Sequence, residues 1–257
     1  MTAEIKIALA KFNSLKYDSK LFTNEAIELI KVAYEKGAEL ISFLSYFYPK
    51  PLVCGSHIFD SIIKTIKKYP IHVILHVSEN DYNFLCIIES SGKIILKRKD
   101  CYIKQNYDLK TVVYLKFKQT DFIEVGYLCG VEHVNPLMTY NSALQHEKLH
   151  FGSWPIINDN GNKDLVDFIS RTYSVQTQSF FISNSANLSA KNDQNFNIKV
   201  FAPDGSIVTK HCYDEEGITF YKLNMDEIIN QKALIDIVGH SSKPTVTFQS
   251  IIDYNSL

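Results

Sequence analysis

The sequence has little of what nucleic-acid-binding and membrane-spanning proteins require. Only two of its 257 residues are arginine, Arg98 and Arg171, and 27 basic residues are balanced by 28 acidic ones, for a formal net charge of −1. Recognition of nucleic acids needs a basic surface and favours the bidentate guanidinium group, so this composition argues against it. No apolar run approaches the roughly 20 residues that cross a bilayer. The sequence therefore predicts neither a nucleic-acid partner nor a membrane association.

Cysteine is also scarce, and its placement excludes the usual cysteine-based scaffolds. The five residues form no CxxC pair, and no histidine lies near them at metal-ligand spacing; they are Cys54, Cys86, Cys101, Cys129 and Cys212. An odd number of scattered cysteines is typical of reduced thiols in an intracellular protein rather than of a disulfide framework. Together with the lack of a signal peptide, this pattern predicts a cytoplasmic protein with no metal and no cofactor.

What the chain does have is apolar material, which makes up 46% of its residues, and that amount can form one large core. We expect a single domain over residues 1–257. Residues 5–9 predict a buried strand, residues 24–34 a helix with Thr23 as N-cap and Gly37 as its end, and residues 40–44 a second strand. This β-α-β order is typical of parallel strands.

The same alternation of apolar runs and helical spacing continues along the chain. Helices are predicted over residues 59–68, from Pro136 onward and over 165–176, and residues 121–124 have turn character. Further strands are predicted over residues 71–77, 84–89, 94–98, 112–117, 125–130, 150–153 and 179–184. These elements indicate an α/β protein with helices covering the faces of its sheets.

A series of short motifs over residues 126–155 makes the prediction more specific. In order, they are Glu132-His133, Pro136-Leu137, Glu147, His150 and Trp154-Pro155. This stretch resembles the nitrilase branch of the carbon-nitrogen hydrolase superfamily, in which the nucleophile lies in Cys-Trp-Glu-His. Matches in Lys36-Gly37-Ala38 and Pro203-Asp204-Gly205 extend the resemblance along most of the chain. The resemblance implies an α-β-β-α sandwich that pairs into four-layer dimers.

Activity in this family implies a glutamate that takes the thiol proton, a lysine that stabilises the tetrahedral intermediate, and a cysteine that attacks a nitrile or amide carbon. Ser45 stands at the glutamate position. The lysine position holds Asp100, or Lys99 if the register slips by one residue. Gly130 stands at the cysteine position, and Cys129 lies one residue earlier.

Two functions from different classes remain open. The favoured hypothesis is a protein without catalysis that acts as a structural, regulatory or ligand-binding subunit. It would form a homodimer or higher oligomer or pair with an active paralogue, and it could still hold a small nitrile, amide or carboxylate ligand. The alternative is an active carbon-nitrogen hydrolase with Cys129 as a relocated nucleophile, activated by Lys99 and a histidine such as His133. Under the favoured hypothesis Cys129 is a small buried apolar residue.

Three further residues are candidates for binding. Glu132, His133 and Trp154 lie beside the pocket in the family, although Glu132 and His133 could equally cap the helix that starts at Pro136, and the capping role is slightly favoured. His146 and His150 have the i, i+4 spacing of helical metal ligands. The matching family run holds no metal, so we expect none here.

Overall fold

A computed structural model describes most of the chain. The described residues are 3–11, 19–43, 52–80, 82–99, 110–118, 120–154, 162–186, 196–209, 212–215 and 217–239. Within these ranges the chain forms two β-sheets with helices packed on them, which confirms the predicted α/β class.

The strands and helices are numbered in chain order. The strands are β1 (Glu4–Ala10), β2 (Leu40–Phe43), β3 (His72–Glu79), β4 (Tyr82–Ile88), β5 (Ile94–Lys99), β6 (Val112–Lys116), β7 (Phe122–Cys129), β8 (Leu149–Trp154), β9 (Phe180–Ala186), β10 (Phe196–Phe201), β11 (Cys212–Glu215) and β12 (Ile218–Asn224). The helices are α1 (Ser19–Glu35), α2 (His57–Lys68), α3 (Pro136–Leu144), α4 (Asn162–Thr177) and α5 (Asp226–Leu234). A short 3₁₀ helix, Gly130–Val134, directly follows β7.

The larger sheet has seven strands in the order β11-β12-β1-β2-β3-β4-β5, and the smaller has five in the order β10-β9-β8-β7-β6. Strands β1, β2 and β3 are parallel to one another, as are β7, β8 and β9. Because parallel strands end at the same edge of a sheet, the carboxyl ends of β7 and β8 lie side by side. The residues that follow β7 are therefore placed at one end of the sandwich.

Apolar side chains form three layers that account for the sandwich. One cluster fills the space between the two sheets and includes Ile7, Ile74, Tyr127 and Phe151. A second lies between the outer face of the larger sheet and helices α1 and α2, and a third lies between the smaller sheet and α4, with Met138 of α3. This arrangement confirms the predicted α-β-β-α sandwich.

Gly37 explains the end of one helix, and the structure corrects two predictions. Helix α1 ends before Gly37, whose φ of 78° suits glycine. The helix begins at Ser19, so the prediction of Thr23 as its N-cap was wrong. Strand β7 begins at Phe122, so the predicted turn over residues 121–124 was also wrong, because this segment pairs with β6. None of the helices in the described ranges is long and apolar enough to cross a membrane.

Candidate active site

A buried ion pair joins the two sheets where β5 and β7 end. The guanidinium group of Arg98 donates to both carboxylate oxygens of Glu132, with Nη1 at 2.7 Å from Oε2 and Nη2 at 2.6 Å from Oε1. Both side chains are almost completely buried, at 0% and 1% exposed. Such a bidentate contact fixes the geometry of both partners. It holds the 3₁₀ helix that follows β7 against β5, the edge strand of the larger sheet.

Cys129 is tied to this ion pair through its backbone. Its N–H donates to Oε2 of Glu132 at 2.8 Å, the same oxygen that binds Arg98. Its side chain belongs to the cluster between the sheets, as does that of Tyr127 two residues earlier, because alternate residues of a strand share a face. The thiol therefore lies in the inter-sheet layer, on the opposite face from the helices α3 and α4.

A line of hydrogen bonds crosses this layer beside Cys129. The hydroxyl of Tyr127 lies 2.7 Å from Oγ of Ser153 and 3.3 Å from Nε2 of His76. Ser153 is the register partner of Cys129 in the parallel pair of β7 and β8. The hydroxyl of Ser42 in β2 is also buried and has no hydrogen-bond partner among the described residues.

A second buried polar network lies on the other face of the smaller sheet. Nδ1 of His133 donates to the carbonyl of Gly130 at 2.8 Å, so in a neutral imidazole its Nε2 must accept. Nε2 of His150, 3.0 Å away, is then the donor, and Nδ1 of His150 faces Oε2 of Glu147 at 2.9 Å. A hydrogen bond therefore joins Glu147 to His150, and a second one joins His150 to His133. The network fixes the carbonyl of the residue that follows Cys129.

Burial sets the protonation of this network. The pKa of His133 is held well below its usual value of 6.5, first because burial disfavours the charged ring and second because the imidazole of His150 adjoins it. Burial, together with the nearby Glu147 carboxylate, raises the pKa of Tyr173 well above its usual range. At neutral pH the His133 ring is therefore neutral, as its hydrogen bonds require.

We expect this depressed pKa to make the protein sensitive to acid. Below about pH 6.5 the side chain of His133 is protonated in the unfolded chain but stays neutral in the folded protein. The free energy of unfolding therefore decreases as the pH falls. His133→Gln should lower stability at pH 7.5 but give a shallower loss between pH 6.5 and 5, by up to about 1.4 kcal/mol per pH unit. Urea unfolding at several pH values measures both slopes, and parallel slopes would contradict the prediction.

Two glycines let the second network pack against the sheet. A Cβ on Gly126 would lie 1.9 Å from Oε2 of Glu147, and a Cβ on Gly152 would lie 2.5 Å from the ring of Phe181. Neither distance is compatible with a real side chain. Glycine is therefore required at both positions for Glu147 and the histidines to approach the strands so closely.

The structure separates the residues that the sequence analysis placed in the site. Lys99 is exposed, and its ammonium group lies over the ring of Tyr82, on the opposite face of β5 from Arg98. Trp154 is buried on the helix side of the smaller sheet and stacks on His133 at 4.7 Å. Lys99 and His133 therefore both face away from the thiol of Cys129. Ser45 and Asp100 lie outside the described residues.

The predicted capping role of Glu132 and His133 was wrong. The N-cap of α3 is Asn135, whose side chain accepts from the N–H of Leu137 at 3.0 Å, while Glu132 binds Arg98. The i, i+4 histidines share no helix face, because α3 ends at Leu144 and His150 lies in β8. Among the described residues, no group of three or more histidine, cysteine, aspartate or glutamate side chains could hold a metal ion.

Sequence reasoning missed four residues that the fold brings to the inner layer near Cys129. They are His76, Arg98, Tyr127 and Ser153. The alternation of side chains along a strand could have indicated them, because each lies two positions after an apolar core residue of the same strand. Their contacts across the two sheets could not be read from the sequence.

Known proteins that are similar to this chain identify its family. No protein-family model matches it. The chain is 36% identical over 302 aligned positions to a protein of Meyerozyma guilliermondii named nitrilase, covering 95% of this chain and 94% of that one. It is 25% identical over 306 positions to an arylacetonitrilase of Aspergillus oryzae, covering 97% and 91%.

Solved structures agree with this assignment at the level of the fold. A Saccharomyces cerevisiae protein of branch 10 of the nitrilase superfamily superposes with a TM-score of 0.73 at 15% identity, covering 93% of this chain and 97% of that one. An amidase from Nesterenkonia gives a TM-score of 0.66 at 12% identity, covering 90% and 94%.

These comparisons correct the favoured functional prediction. The hypothesis of a protein without catalysis was wrong, because the relatives that match nearly the whole chain are named nitrilases and arylacetonitrilases. The alternative of an active hydrolase fits them better. On its 36% identity along 95% of its length, this chain belongs to the nitrilase superfamily.

Proposed function

We propose that the protein hydrolyses organic nitriles to carboxylic acids and ammonia. The observation that carries the proposal is the 36% identity to a protein named nitrilase, which extends over almost the whole of both chains. The amidase from Nesterenkonia is similar in fold but only 12% identical, so it gives no comparable support for an amide substrate. Several relatives are named arylacetonitrilases, and an arylacetonitrile is therefore the first substrate to test.

Cys129 is the proposed nucleophile. The structure describes the side chains of Cys54, Cys86 and Cys129, and of these three only Cys129 lies in the inter-sheet layer. Cys86 is buried on the helix side of the larger sheet, and Cys54 packs against that same side. The position one residue later holds Gly130, which has no side chain to react. The end of β7 thus offers one thiol beside buried polar groups.

The reaction would proceed through two covalent intermediates. The thiolate adds to the nitrile carbon, and the nitrile nitrogen takes up a proton to give a thioimidate. Water adds to the same carbon, ammonia leaves, and a thioester remains. A second water molecule hydrolyses the thioester, which releases the carboxylic acid and returns the thiol.

The three positions that resemble the family's catalytic residues would not supply this chemistry. Ser45 and Gly130 carry no carboxylate and no thiol, and neither Asp100 nor the outward-facing Lys99 brings a cation to the thiol. Arg98 is proposed to take the role of the lysine. Its guanidinium group is always charged and is linked to the N–H of Cys129 through the Glu132 carboxylate, so a permanent cation lies near the end of β7.

Ammonia release tests the proposal directly. Purified protein is incubated with phenylacetonitrile and with aliphatic nitriles, and ammonia and the carboxylic acid are measured. The matched amides serve as the control for substrate class. Release of both products from nitriles supports the proposal. A folded protein that releases ammonia from none of the nitriles contradicts it, and turnover of amides alone assigns a different substrate.

The prediction of a homodimer gains a candidate surface. Exposed apolar side chains lie on three segments that contact one another, the 3₁₀ helix, α3 and α4; they are Val131, Val134, Leu137, Leu165 and Phe168. Clustered exposed apolar residues are typical of interaction sites. We propose that a second copy of the chain covers them, since the resemblance implies pairing between helix layers.

Charge placed on this surface should separate the two copies. Leu137→Asp combined with Phe168→Asp is expected to convert a dimer to a monomer in light scattering coupled to gel filtration. Ile229→Asp is the matched control, because Ile229 is equally exposed but lies on α5. A wild-type protein that is already monomeric, or a double variant that remains dimeric, would count against this surface.

A further inference from the structure

The buried line formed by His76, Tyr127 and Ser153 can pass a proton from β8 to β3 in one arrangement of its hydrogens. The three side chains come from β3, β7 and β8 and are 4%, 0% and 1% exposed. If the phenol of Tyr127 donates to Nε2 of His76, the hydroxyl of Ser153 must donate to the phenol oxygen, because each hydroxyl has one proton. An oxygen lone pair of Ser153 then remains to accept a further proton.

The thiol of Cys129 is a candidate donor for that lone pair. Cys129 and Ser153 are register partners on neighbouring parallel strands, which lie about 4.8 Å apart. Tyr127 and Cys129 share the inner face of β7, and Ser153 lies on the inner face of β8, since Phe151 two residues before it belongs to the same core layer. The three groups therefore occupy one corner of the inter-sheet layer.

We propose that His76 accepts the thiol proton of Cys129 through Ser153 and Tyr127. The inference rests on the proposed function, and it names the base that takes the place of the family's glutamate. In the step, Cys129 gives its proton to Ser153, Ser153 gives its own to Tyr127, and Tyr127 gives its own to Nε2 of His76. The products are a thiolate and an imidazolium, so protons and charge balance.

The buried ion pair of Arg98 and Glu132 flanks this line. Arg98 on β5 and His76 on β3 lie on the same inner face of the larger sheet. Leu85 of β4 lies between them, because it pairs with His76 on one side and with Arg98 on the other. Glu132, the partner of Arg98, approaches from the 3₁₀ helix and is bound to the N–H of Cys129. Imidazole is the one side chain whose usual titration lies near neutral pH, which suits a proton acceptor at this place.

The pH dependence of Cys129 alkylation tests the relay independently of turnover. Iodoacetamide reacts with the thiolate, and peptide mass spectrometry assigns the modification to Cys129 rather than to the other cysteines. His76→Gln, Tyr127→Phe and Ser153→Ala are each expected to raise the midpoint of this profile and to slow alkylation at pH 7 by about tenfold or more. Tyr127→Phe keeps the ring and removes only the hydroxyl.

His72→Gln is the matched control. His72 lies on the same strand and is buried, but its Nε2 is 2.9 Å from the carbonyl of Lys116, away from Tyr127. It should leave the alkylation profile of Cys129 unchanged. An equal shift in this control, an unchanged profile in Tyr127→Phe, or a wild-type Cys129 that does not react at any pH would overturn the relay.

The outcomes separate the relay from the proposed function. If nitriles are hydrolysed and the profile of Tyr127→Phe matches that of the wild type, the relay fails while nitrile hydrolysis stands. If the pH profile of Cys129 alkylation has a low midpoint that rises in the variants, but no nitrile is hydrolysed, the relay stands and the proposed substrate class fails.

Discussion

Cys129→Ser and Cys129→Ala are expected to lower kcat for nitrile hydrolysis by about 10³-fold or more. A serine hydroxyl is a far weaker nucleophile than a thiolate at neutral pH, and alanine has no nucleophile at all. The loss should appear in kcat, because the step removed is the attack on the nitrile carbon. Ammonia release at saturating substrate measures it, with circular dichroism to show that the variants are folded.

Cys86→Ala is the matched control for this result. Cys86 is also fully buried in a strand, but it faces α1 and α2 rather than the inter-sheet layer. The variant should therefore retain turnover even if its stability falls. Activity that survives Cys129→Ala and disappears in Cys86→Ala would place the nucleophile elsewhere.

Restoring a cysteine at position 130 is not expected to rescue Cys129→Ala. Gly130 has a φ of 44°, in the left-handed region where a side chain costs about 1–2 kcal/mol. The Gly130→Cys change would strain the turn that the carbonyl hydrogen bond from His133 holds in place. The backbone at this position thus matches its glycine.

Arg98→Met should reduce the free energy of unfolding by about 3–5 kcal/mol. The change leaves the Glu132 carboxylate 1% exposed, without the guanidinium group that binds both of its oxygens. Adding Glu132→Leu removes the stranded charge and should recover most of the loss. A residual deficit of about 1 kcal/mol is expected, because the N–H of Cys129 then lacks its acceptor.

Lys97→Met is the control for this second prediction. Lys97 precedes Arg98 in β5 and pairs with Glu79, but both side chains of that pair are substantially exposed. Surface pairs contribute about 0–1 kcal/mol, so the variant should be close to the wild type. Urea unfolding monitored by fluorescence compares the four proteins. Equal losses in Arg98→Met and Lys97→Met would mean that burial of the ion pair adds nothing.

Much of the fold follows from local patterns in the sequence. Alternating apolar residues predicted most strands within a few residues, and Pro136 marked the start of α3. The errors occurred where distant pairing overrides local preference. The sequence predicts a turn over residues 121–124, yet residues 122–124 form the start of β7 because β6 supplies hydrogen-bond partners.

The site was less predictable because its contacts are non-local. Arg98 meets Glu132 across the two sheets, and His76 meets Tyr127 across 51 positions of sequence. Motif positions alone indicated Ser45 and Gly130, and they led to the mistaken prediction of a protein without catalysis. A motif shows at which position a relative has its catalytic side chain. Which other side chains lie close to a thiol depends on the faces of the strands that carry them.

The ion pair between Arg98 and Glu132 also has a kinetic consequence. Arg98 lies in β5 of the larger sheet and Glu132 in the 3₁₀ helix that follows β7 of the smaller sheet, so the pair can form only after the two sheets have docked. Interactions made late in folding act mainly on the unfolding rate. The pair therefore slows the unfolding of the sandwich around Cys129 without speeding its folding.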